Sequence, residues 1–360
     1  MNFVRRIAVL VCLFASPLLH AEESPRRDLL KQSRRMVFLG DSITAAGRYV
    51  ACVDAWLETQ KLEPKPFVID AGLPSETVSG LSEDGHAGGK FPRPDLAERL
   101  DRVLTITKPD LVVACYGINC GIYEPFDKLR FEKYQQGMTS LKSRVEKAGA
   151  KFIVVTPPFY DDQRAPKAFS YNEVLDKYSD WLLARRADGW LVADLHGPMT
   201  REVLKRRESD PKFTFQPDGV HPNDEGHWYV AQQLIRFFGD ESVSAAATPQ
   251  TMLTAKQMPE SLFPLVQERV NVLRDAYVSA AGHKRPGVAA GLPIPEAEAR
   301  AKDLTAKIEA LIRDPQKCRS PILGRQSSQC FSERSDIRFL APRKSTTPDT
   351  FNPHTRTHLN

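Results

Sequence analysis

Three residues have the types and spacing that nucleophilic catalysis requires. Ser42 follows a short apolar run and precedes a helical pattern, so we expect its hydroxyl near a helix N-terminus, where developing negative charge is favoured. His221 comes three residues after Asp218, and one turn of chain can bring that carboxylate to one imidazole nitrogen. The other nitrogen is then free to accept a proton from a serine hydroxyl. Together the three residues predict a Ser-His-Asp triad.

Acyl transfer also needs hydrogen-bond donors that point at the oxyanion of a tetrahedral intermediate. Gly72 follows the second predicted strand and can offer its backbone N–H, while Asn119 follows the third and can offer its side-chain amide. The backbone N–H of Ser42 is a third candidate. These residues are the expected oxyanion donors.

Each of these features also has a plainer explanation. A serine or aspartate before a helix is a common N-cap, and Asp218 can close a loop turn without any catalytic role. Gly72 can serve a tight turn, and Asn119 can bond to its own loop. The Ser42 motif is not a G-x-S-x-G elbow, because Thr44 takes the position of the second glycine. These residues therefore indicate catalysis only if they lie at matching positions relative to the predicted strands and helices.

Short apolar runs alternate with helical patterns between residues 36 and 238. The runs are rich in β-branched or aromatic residues, which is typical of buried parallel strands. The predicted strands are 36–39, 67–71, 111–116, 152–156 and 191–195. The predicted helices are about 47–60, 95–107, 131–148, 171–186 and 223–238. This alternation predicts a doubly wound α/β sandwich, in which ligands bind beyond the carboxyl ends of the strands.

Four short motifs in this region resemble the signature blocks of the SGNH (GDSL-type) esterase and lipase superfamily. In chain order they are Gly40-Asp41-Ser42, Gly72, Gly117-Ile118-Asn119 and Asp218-Gly219-Val220-His221. The resemblance covers about residues 35–238. It implies a three-layer α/β/α sandwich with a five-stranded parallel sheet, the flavodoxin-like SGNH hydrolase fold. It also implies Ser42 as nucleophile, His221 as general base and Asp218 as the residue that orients the base.

The resemblance further implies an oxyanion hole formed by the Ser42 and Gly72 N–H groups and the Asn119 side chain. The chain departs from the family's third block, where an aspartate commonly follows the asparagine and Cys120 stands here. We expect Cys120 to be a small apolar filler, and the alternative is a reactive thiol beside the site.

Three further residues near these motifs are predicted substrate contacts, namely His86, Tyr116 and Tyr123. His86 lies in a long loop at 80–94, where the alternative is a solvated loop histidine. No H-E-x-x-H motif occurs in the sequence, and the triad chemistry requires neither a metal nor another cofactor.

The composition excludes several classes of protein. The chain has 360 residues, of which 41% are hydrophobic and 26% charged, values typical of a soluble globular protein rather than a collagen-like, disordered or polytopic membrane protein. The formal net charge is +5, but residues 22–330 carry 43 basic and 42 acidic residues. We therefore expect no nucleic-acid partner.

The N-terminus has the pattern of a secretory signal. Arg5 and Arg6 precede an apolar stretch at 7–19 that is short for a membrane span, and Ala21 precedes a polar segment. We expect cleavage near Ala21, export to the periplasm or the cell exterior, and no stable membrane insertion afterwards. An uncleaved anchor is the alternative.

The predicted organisation has four parts. They are a signal peptide at 1–21, an SGNH hydrolase domain at 34–239, a helical C-terminal extension at 240–317 and a loop-rich, partly disordered tail at 318–360. We interpret 240–257 as a linker. Cys318 and Cys330 are placed to form a disulfide if the protein is exported, whereas Cys52 and Cys115 have apolar surroundings typical of core residues.

These features predict an exported serine esterase that acts on carboxylic esters. Export and a polar, loop-rich site favour O-acyl groups, above all acetyl groups, on carbohydrates. The alternatives are a lysophospholipase or thioesterase, an acyltransferase with the same triad, and a non-catalytic glycan-binding module on the same fold. Retention of the triad and the oxyanion donors argues against the binding module.

Overall fold

Five parallel strands form the centre of the fold. The computed structural model describes residues 25–314. The strands are β1 (Arg35–Gly40), β2 (Phe67–Asp70), β3 (Leu111–Cys115), β4 (Lys151–Val155) and β5 (Leu191–Ala193). Their order is β2-β1-β3-β4-β5, the flavodoxin-like order, and each neighbouring pair is parallel. The predicted α/β fold with a five-stranded parallel sheet is confirmed.

Helices connect and flank the strands. In chain order they are α1 (Pro25–Gln32), α2 (Ser42–Ala45), α3 (Arg48–Glu58), α4 (His86–Gly89), α5 (Leu96–Thr107), α6 (Lys128–Lys147), α7 (Asn172–Ala184), α8 (His196–Arg207), α9 (Asp224–Phe237), α10 (Pro249–Ala255), α11 (Leu262–Ala281) and α12 (Ile294–Arg313). Short 3₁₀ turns cover Arg185–Asp188 and Glu241–Ala245. The long predicted helices are present, each with ends within a few residues of the prediction.

The direction of the crossovers places the helices on two faces. The chain moves one way across the sheet from β1 to β2 and the opposite way from β2 to β5. Because crossovers between parallel strands are right-handed, α3 lies on one face while α5, α6 and α7 lie on the other. Helix α9 packs against α3. The loops after β1 and β3 therefore meet at the carboxyl edge of the sheet, between the two layers.

Side-chain caps begin several of these helices. The carboxylate of Asp95 accepts a hydrogen bond from the N–H of Ala97 at the start of α5, and Asn223 caps α9 in the same manner. The expected linker at 240–257 instead contains α10, which Thr248 begins with a capping box and a following proline. Helix α8 was also absent from the prediction, because Gly197 and Pro198 interrupt its helical pattern near the start.

The C-terminal helices α11 and α12 pack against each other, and α11 also contacts α3, α5 and β2. Helix α11 therefore lies beside the sheet edge that β2 would otherwise leave uncovered. Arg269 of α11 is buried and donates hydrogen bonds of 2.8 Å to both Asp54 and Glu58 of α3. A division of the chain at residue 240 remains a prediction.

Several predictions concern residues outside 25–314, namely the signal peptide at 1–21, the tail at 318–360 and the pairing of Cys318 with Cys330. Within the described range, no helix combines the length and apolar character needed to cross a bilayer. Cys52 and Cys115 are buried and unpaired, which confirms that they are core residues.

Candidate active site

The structure brings Ser42, His221 and Asp218 together in one line of hydrogen bonds. Ser42 is the first residue of α2, directly after β1. Its Oγ lies 2.8 Å from His221 Nε2, and His221 Nδ1 lies 2.7 Å from Asp218 Oδ2. Because an ionised carboxylate only accepts hydrogen bonds, Nδ1 donates to Asp218, which in an uncharged imidazole leaves Nε2 to accept from the serine hydroxyl.

Asp218 is held by the turn that it begins. Its Oδ1 accepts hydrogen bonds from the backbone N–H groups of Val220 at 2.9 Å and His221 at 2.7 Å. Partial burial opposes ionisation of this carboxyl, but the hydrogen bonds from the His221 ring and from the two backbone groups outweigh it, so the pKa of Asp218 lies below its usual value. The side chain therefore stays anionic and can stabilise a protonated imidazole.

The triad is open to solvent. The side chains of His221 and Asp218 are 51% and 57% exposed, and Ser42 is partly exposed. The His–Asp pair consequently needs no movement of the chain before a bulky substrate can approach it.

The turn that presents Ser42 is closely packed. A Cβ atom at Gly40 would lie 2.0 Å from Thr44 Oγ1, so only glycine fits there. Asp41 is buried and accepts a hydrogen bond of 3.0 Å from the N–H of Ile43, and burial raises its pKa to about 6. The N–H of Ser42 itself donates to no group among the described residues, so it remains available to an oxyanion.

The backbone N–H of Gly72 already has a partner in the structure, whereas we predicted that it would bind an oxyanion. Its N–H donates a 2.8 Å hydrogen bond to Asp70 Oδ1 and so is not free to bind an oxyanion. A Cβ atom at this position would lie 2.4 Å from the backbone nitrogen of Ala45. Glycine is required here because the loop after β2 passes directly against the Ser42 turn.

Ser75, three residues further along this loop, offers a backbone N–H that the sequence analysis missed. Its φ is 69°, a left-handed conformation that is strained for a residue with a side chain. Its N–H donates to no group among residues 25–314. The neighbouring Leu73 N–H donates to the Gly40 carbonyl at 2.9 Å, which ties this loop to the end of β1. A glycine at position 75 would have indicated a left-handed backbone conformation in the sequence, whereas a serine gives no such indication.

Asn119 lies in the turn after β3 and is almost completely buried. Its Nδ2 donates a 3.3 Å hydrogen bond to the carbonyl of Glu76, and its Oδ1 accepts a 2.9 Å hydrogen bond from the hydroxyl of Tyr123. An amide NH₂ has two N–H groups, so one remains for another acceptor. The loop after β2 and the loop after β3 therefore meet at this side chain.

Cys120 is buried, and its sulfur accepts a 3.5 Å hydrogen bond from the N–H of Val78. Burial raises the pKa of its thiol to about 12, so the thiol stays protonated. The prediction that Cys120 is a small filler is confirmed, and the alternative of a reactive thiol is wrong.

The three predicted substrate contacts occupy different environments. Tyr116 is buried, and its hydroxyl donates to Glu76 at 2.6 Å, so this side chain belongs to the core rather than to a substrate surface. His86 packs edge-on against Phe91 and contacts Glu83 at 3.3 Å; among residues 25–314, none of its contacts is with the triad. Tyr123 is the one of the three that touches a candidate oxyanion donor.

The chemistry available to these residues is acyl transfer. A hydroxyl, an adjacent base and an acid that orients the base are present in hydrogen-bond contact. Between residues 25 and 314, no group of three or more His, Cys, Asp or Glu side chains is arranged to hold a metal ion.

The chain resembles a known protein family over part of its length. Residues 38–229, just over half of the chain, match the model of the GDSL-like Lipase/Acylhydrolase family. A search of curated proteins found no match.

Similar solved structures include Axe2, an acetylxylan esterase from Geobacillus stearothermophilus, at 24% identity and a TM-score of 0.45 over 58% of this chain and 95% of that one. LAE5, an alpha/beta hydrolase from the metagenome of Lake Arreo, Spain, is 24% identical with a TM-score of 0.44 over 57% and 95% of the two chains. BT4096, a gut microbial diltiazem-metabolizing enzyme, is 23% identical with a TM-score of 0.45 over 57% of this chain. The match spans only 47% of the BT4096 chain.

Proposed function

The chain belongs to the GDSL-like Lipase/Acylhydrolase family, and we propose that it is an exported serine esterase that hydrolyses carboxylic esters through an acyl-enzyme. The observation that carries the proposal is the 2.8 Å contact between Ser42 Oγ and His221 Nε2, continued by the 2.7 Å contact between His221 and Asp218. Such a chain of contacts gives a serine hydroxyl a base and gives the base a fixed orientation.

In the first half of the reaction, Ser42 Oγ attacks the ester carbonyl carbon while its proton passes to His221 Nε2. The carbonyl π electrons move onto oxygen, and Asp218 stabilises the imidazolium. Collapse of the tetrahedral intermediate expels the alcohol, which takes the proton from His221. The product is an ester between the acyl group and Ser42.

In the second half, water takes the place of the alcohol. His221 removes a proton from the water as it attacks the acyl-enzyme, and Ser42 leaves with that proton, which releases the carboxylic acid. We assign oxyanion stabilisation to the backbone N–H of Ser42, the backbone N–H of Ser75 and the Nδ2 of Asn119. Ser75 takes the place that the sequence analysis gave to Gly72, because the Gly72 N–H already donates to Asp70.

For the substrate, we propose acyl groups, above all acetyl groups, carried by carbohydrates. The exposure of His221 and Asp218 supports this choice, since a solvent-open triad suits an ester on the surface of a large, hydrated molecule. A long acyl chain would gain more from an enclosed apolar pocket. Lysophospholipase, thioesterase and acyltransferase activities use the same triad and are the competing outcomes of the tests below.

The decisive test is hydrolysis of p-nitrophenyl acetate by the wild type and by Ser42→Ala, with Ser209→Ala as a matched control at an exposed serine. We expect turnover by the wild type and the control and none above background by Ser42→Ala. A fluorophosphonate should label the wild type at Ser42, as located by peptide mass spectrometry. Equal turnover by wild type and Ser42→Ala would contradict the proposal.

The substrate and export are tested separately. Acetylated xylan should release acetate faster than lysophosphatidylcholine releases fatty acid, and the opposite order would favour the lipolytic alternative. Formation of an acetylated sugar in the presence of excess sugar acceptor would favour acyl transfer. The mass of the secreted chain should correspond to a start just after Ala21.

A further inference from the structure

The side chain of Asn119 depends on its neighbours for its orientation. An amide can act as an oxyanion donor only if its NH₂ rather than its oxygen faces the site. The Glu76 carbonyl can only accept, so its 3.3 Å contact requires Nδ2 on that side. Oδ1 then points to the Tyr123 hydroxyl, which is 2.9 Å away and donates to it. These two contacts together define the plane of the amide and leave one Nδ2 hydrogen unused.

We infer that Tyr123 is a positioning residue for catalysis, holding the Asn119 amide in the orientation in which its free N–H can bind the oxyanion. The inference rests on the proposed function, and it assigns Tyr123 a role other than the substrate contact predicted from the sequence. Tyr123 acts through Asn119 and touches no reacting atom.

The backbone is bent so that Tyr123 can reach Asn119. Ile122 has a φ of 46° and Tyr123 a φ of 57°, two consecutive non-glycine residues in the left-handed region. This conformation is unfavourable, and for the β-branched Ile122 especially so. Such strain persists only where the surrounding structure enforces it, and it is concentrated at functional sites. Here the strained turn folds a side chain back onto the residue four positions earlier.

The ring of Tyr123 is fixed from several sides. It stacks on Tyr171 with ring centroids 5.0 Å apart, and the Arg93 guanidinium and the Lys167 ammonium lie 5.2 Å and 5.6 Å from its centroid. Arg93 is itself held by two 2.6 Å hydrogen bonds to Glu83. A phenol clamped in this way can hold a partner at a defined distance and angle.

Loss of the hydroxyl would affect Asn119 specifically. Without Tyr123 Oη, the buried Oδ1 of Asn119 has no hydrogen-bond partner among residues 25–314. An unsatisfied buried carbonyl is unfavourable. The amide would then rotate to satisfy it, and the free N–H would leave the oxyanion. Loss of one oxyanion donor costs about 10²–10³ in kcat. We expect a partial effect, on the order of tenfold, because the Glu76 carbonyl still restrains the amide.

The test is a double-mutant cycle with p-nitrophenyl acetate, using wild type, Tyr123→Phe, Asn119→Ala and the double variant. Tyr123→Phe should lower kcat about tenfold with KM within about twofold of wild type. In the Asn119→Ala background the same change should be silent, within about twofold, because the group on which Tyr123 acts is gone.

Tyr160→Phe is the matched control. Tyr160 lies in the same aromatic cluster, with its ring centroid 5.9 Å from that of Tyr123, but its hydroxyl donates to the Ala165 carbonyl at 2.8 Å. Its kcat should stay within about twofold of wild type.

Three results would overturn the inference while leaving the esterase proposal intact. They are an unchanged kcat in Tyr123→Phe, an equal fall in both backgrounds, which would show a general structural effect, and a raised KM with unchanged kcat, which would show a substrate contact. Absence of any Ser42-dependent turnover in the wild type would instead remove the proposed function and, with it, this role for Tyr123.

Discussion

Arg274 donates a 3.0 Å hydrogen bond to the carbonyl oxygen of Ala45, the last residue of the helical turn that begins at Ser42. Arg274 lies in α11, beyond the 38–229 region that matches the family model. The same Nη1 also donates to Asn271 Oδ1 at 3.0 Å. A helix outside the matched region thus satisfies the C-terminal carbonyl of the turn that carries the candidate nucleophile, which links α11 to the site.

We predict that Arg274→Met lowers both stability and kcat. The substitution keeps an apolar stem but removes the donor, which should reduce the free energy of unfolding by about 1–3 kcal/mol and loosen the Ser42 turn. Urea denaturation and kcat for p-nitrophenyl acetate measure the two effects. Arg300→Met is the control, since Arg300 of α12 forms an exposed ion pair with Glu268 of α11 and its loss should change neither quantity. Equal behaviour of the two variants would contradict the link.

Asp218→Asn should leave the fold intact and reduce kcat by about 10³–10⁴, because an amide does not enforce the required tautomer of His221. Circular dichroism checks the fold, and steady-state kinetics give kcat. Asp194→Asn is the comparison, as Asp194 instead accepts a 3.1 Å hydrogen bond from Thr156 Oγ1. If Asp194→Asn had the larger effect on kcat, the orienting acid would be Asp194 and not Asp218.

Two positions of the loop after β2, Gly72 and Ser75, should respond to substitution in opposite ways. Gly72→Ala should destabilise the protein strongly, because the new Cβ would lie 2.4 Å from the Ala45 nitrogen. Ser75→Gly should raise the free energy of unfolding by up to about 1 kcal/mol, since it relieves the left-handed strain at the cost of chain entropy. It should keep kcat within about twofold, since glycine retains the N–H proposed to bind the oxyanion. Thermal unfolding and kcat measure both. Loss of activity in Ser75→Gly would assign a function to the serine side chain.

The buried carboxyl of Asp70 should make the stability of the protein depend on pH. Burial raises the pKa of this carboxyl to about 7, against 3.8 ordinarily, although the Gly72 N–H and Arg274 oppose the shift. Between these two values the folded protein retains a proton that the unfolded chain releases. The contribution of Asp70 to the free energy of unfolding is therefore complete below pH 3.8 and is lost as the pH rises through about 7.

The variant Asp70→Asn has no such proton and can still accept from Gly72. The free energy of unfolding of Asp70→Asn relative to wild type should therefore increase from pH 4 to pH 8, as measured by urea denaturation at each pH. Asp101→Asn, at an exposed position of α5, should show no comparable trend. A difference for Asp70→Asn that stays constant across this range would place the pKa of Asp70 near its usual value.

The strands, the long helices and one contact of the candidate site could be predicted from the sequence because each depends on a local pattern of residues. Strand positions follow from short β-branched runs, and the long helices follow from apolar spacing, so the sheet was predictable to within two residues at each strand end. The contact between His221 and Asp218 joins residues only three positions apart, so it could be predicted from a local pattern. The short helix α10 and the interrupted helix α8 were missed, because their formation depends on caps and packing rather than on a long apolar period.

The amino-acid sequence by itself determined the α/β fold and the identities of the three residues that form the Ser-His-Asp arrangement. Only the tertiary structure decided which backbone N–H groups are free. The Gly72 N–H donates to Asp70, whereas the Ser75 N–H donates to no described group. The physical reason is that the conformation of the loop after β2 is set by its contacts with the end of β1 and with the Ser42 turn, where Leu73 N–H donates to the Gly40 carbonyl and Gly72 lies against Ala45. That conformation decides which N–H groups of the loop can reach an acceptor. The contact between two loops that matters for Asn119 is the one with the Glu76 carbonyl, which fixes the amide that Tyr123 then contacts.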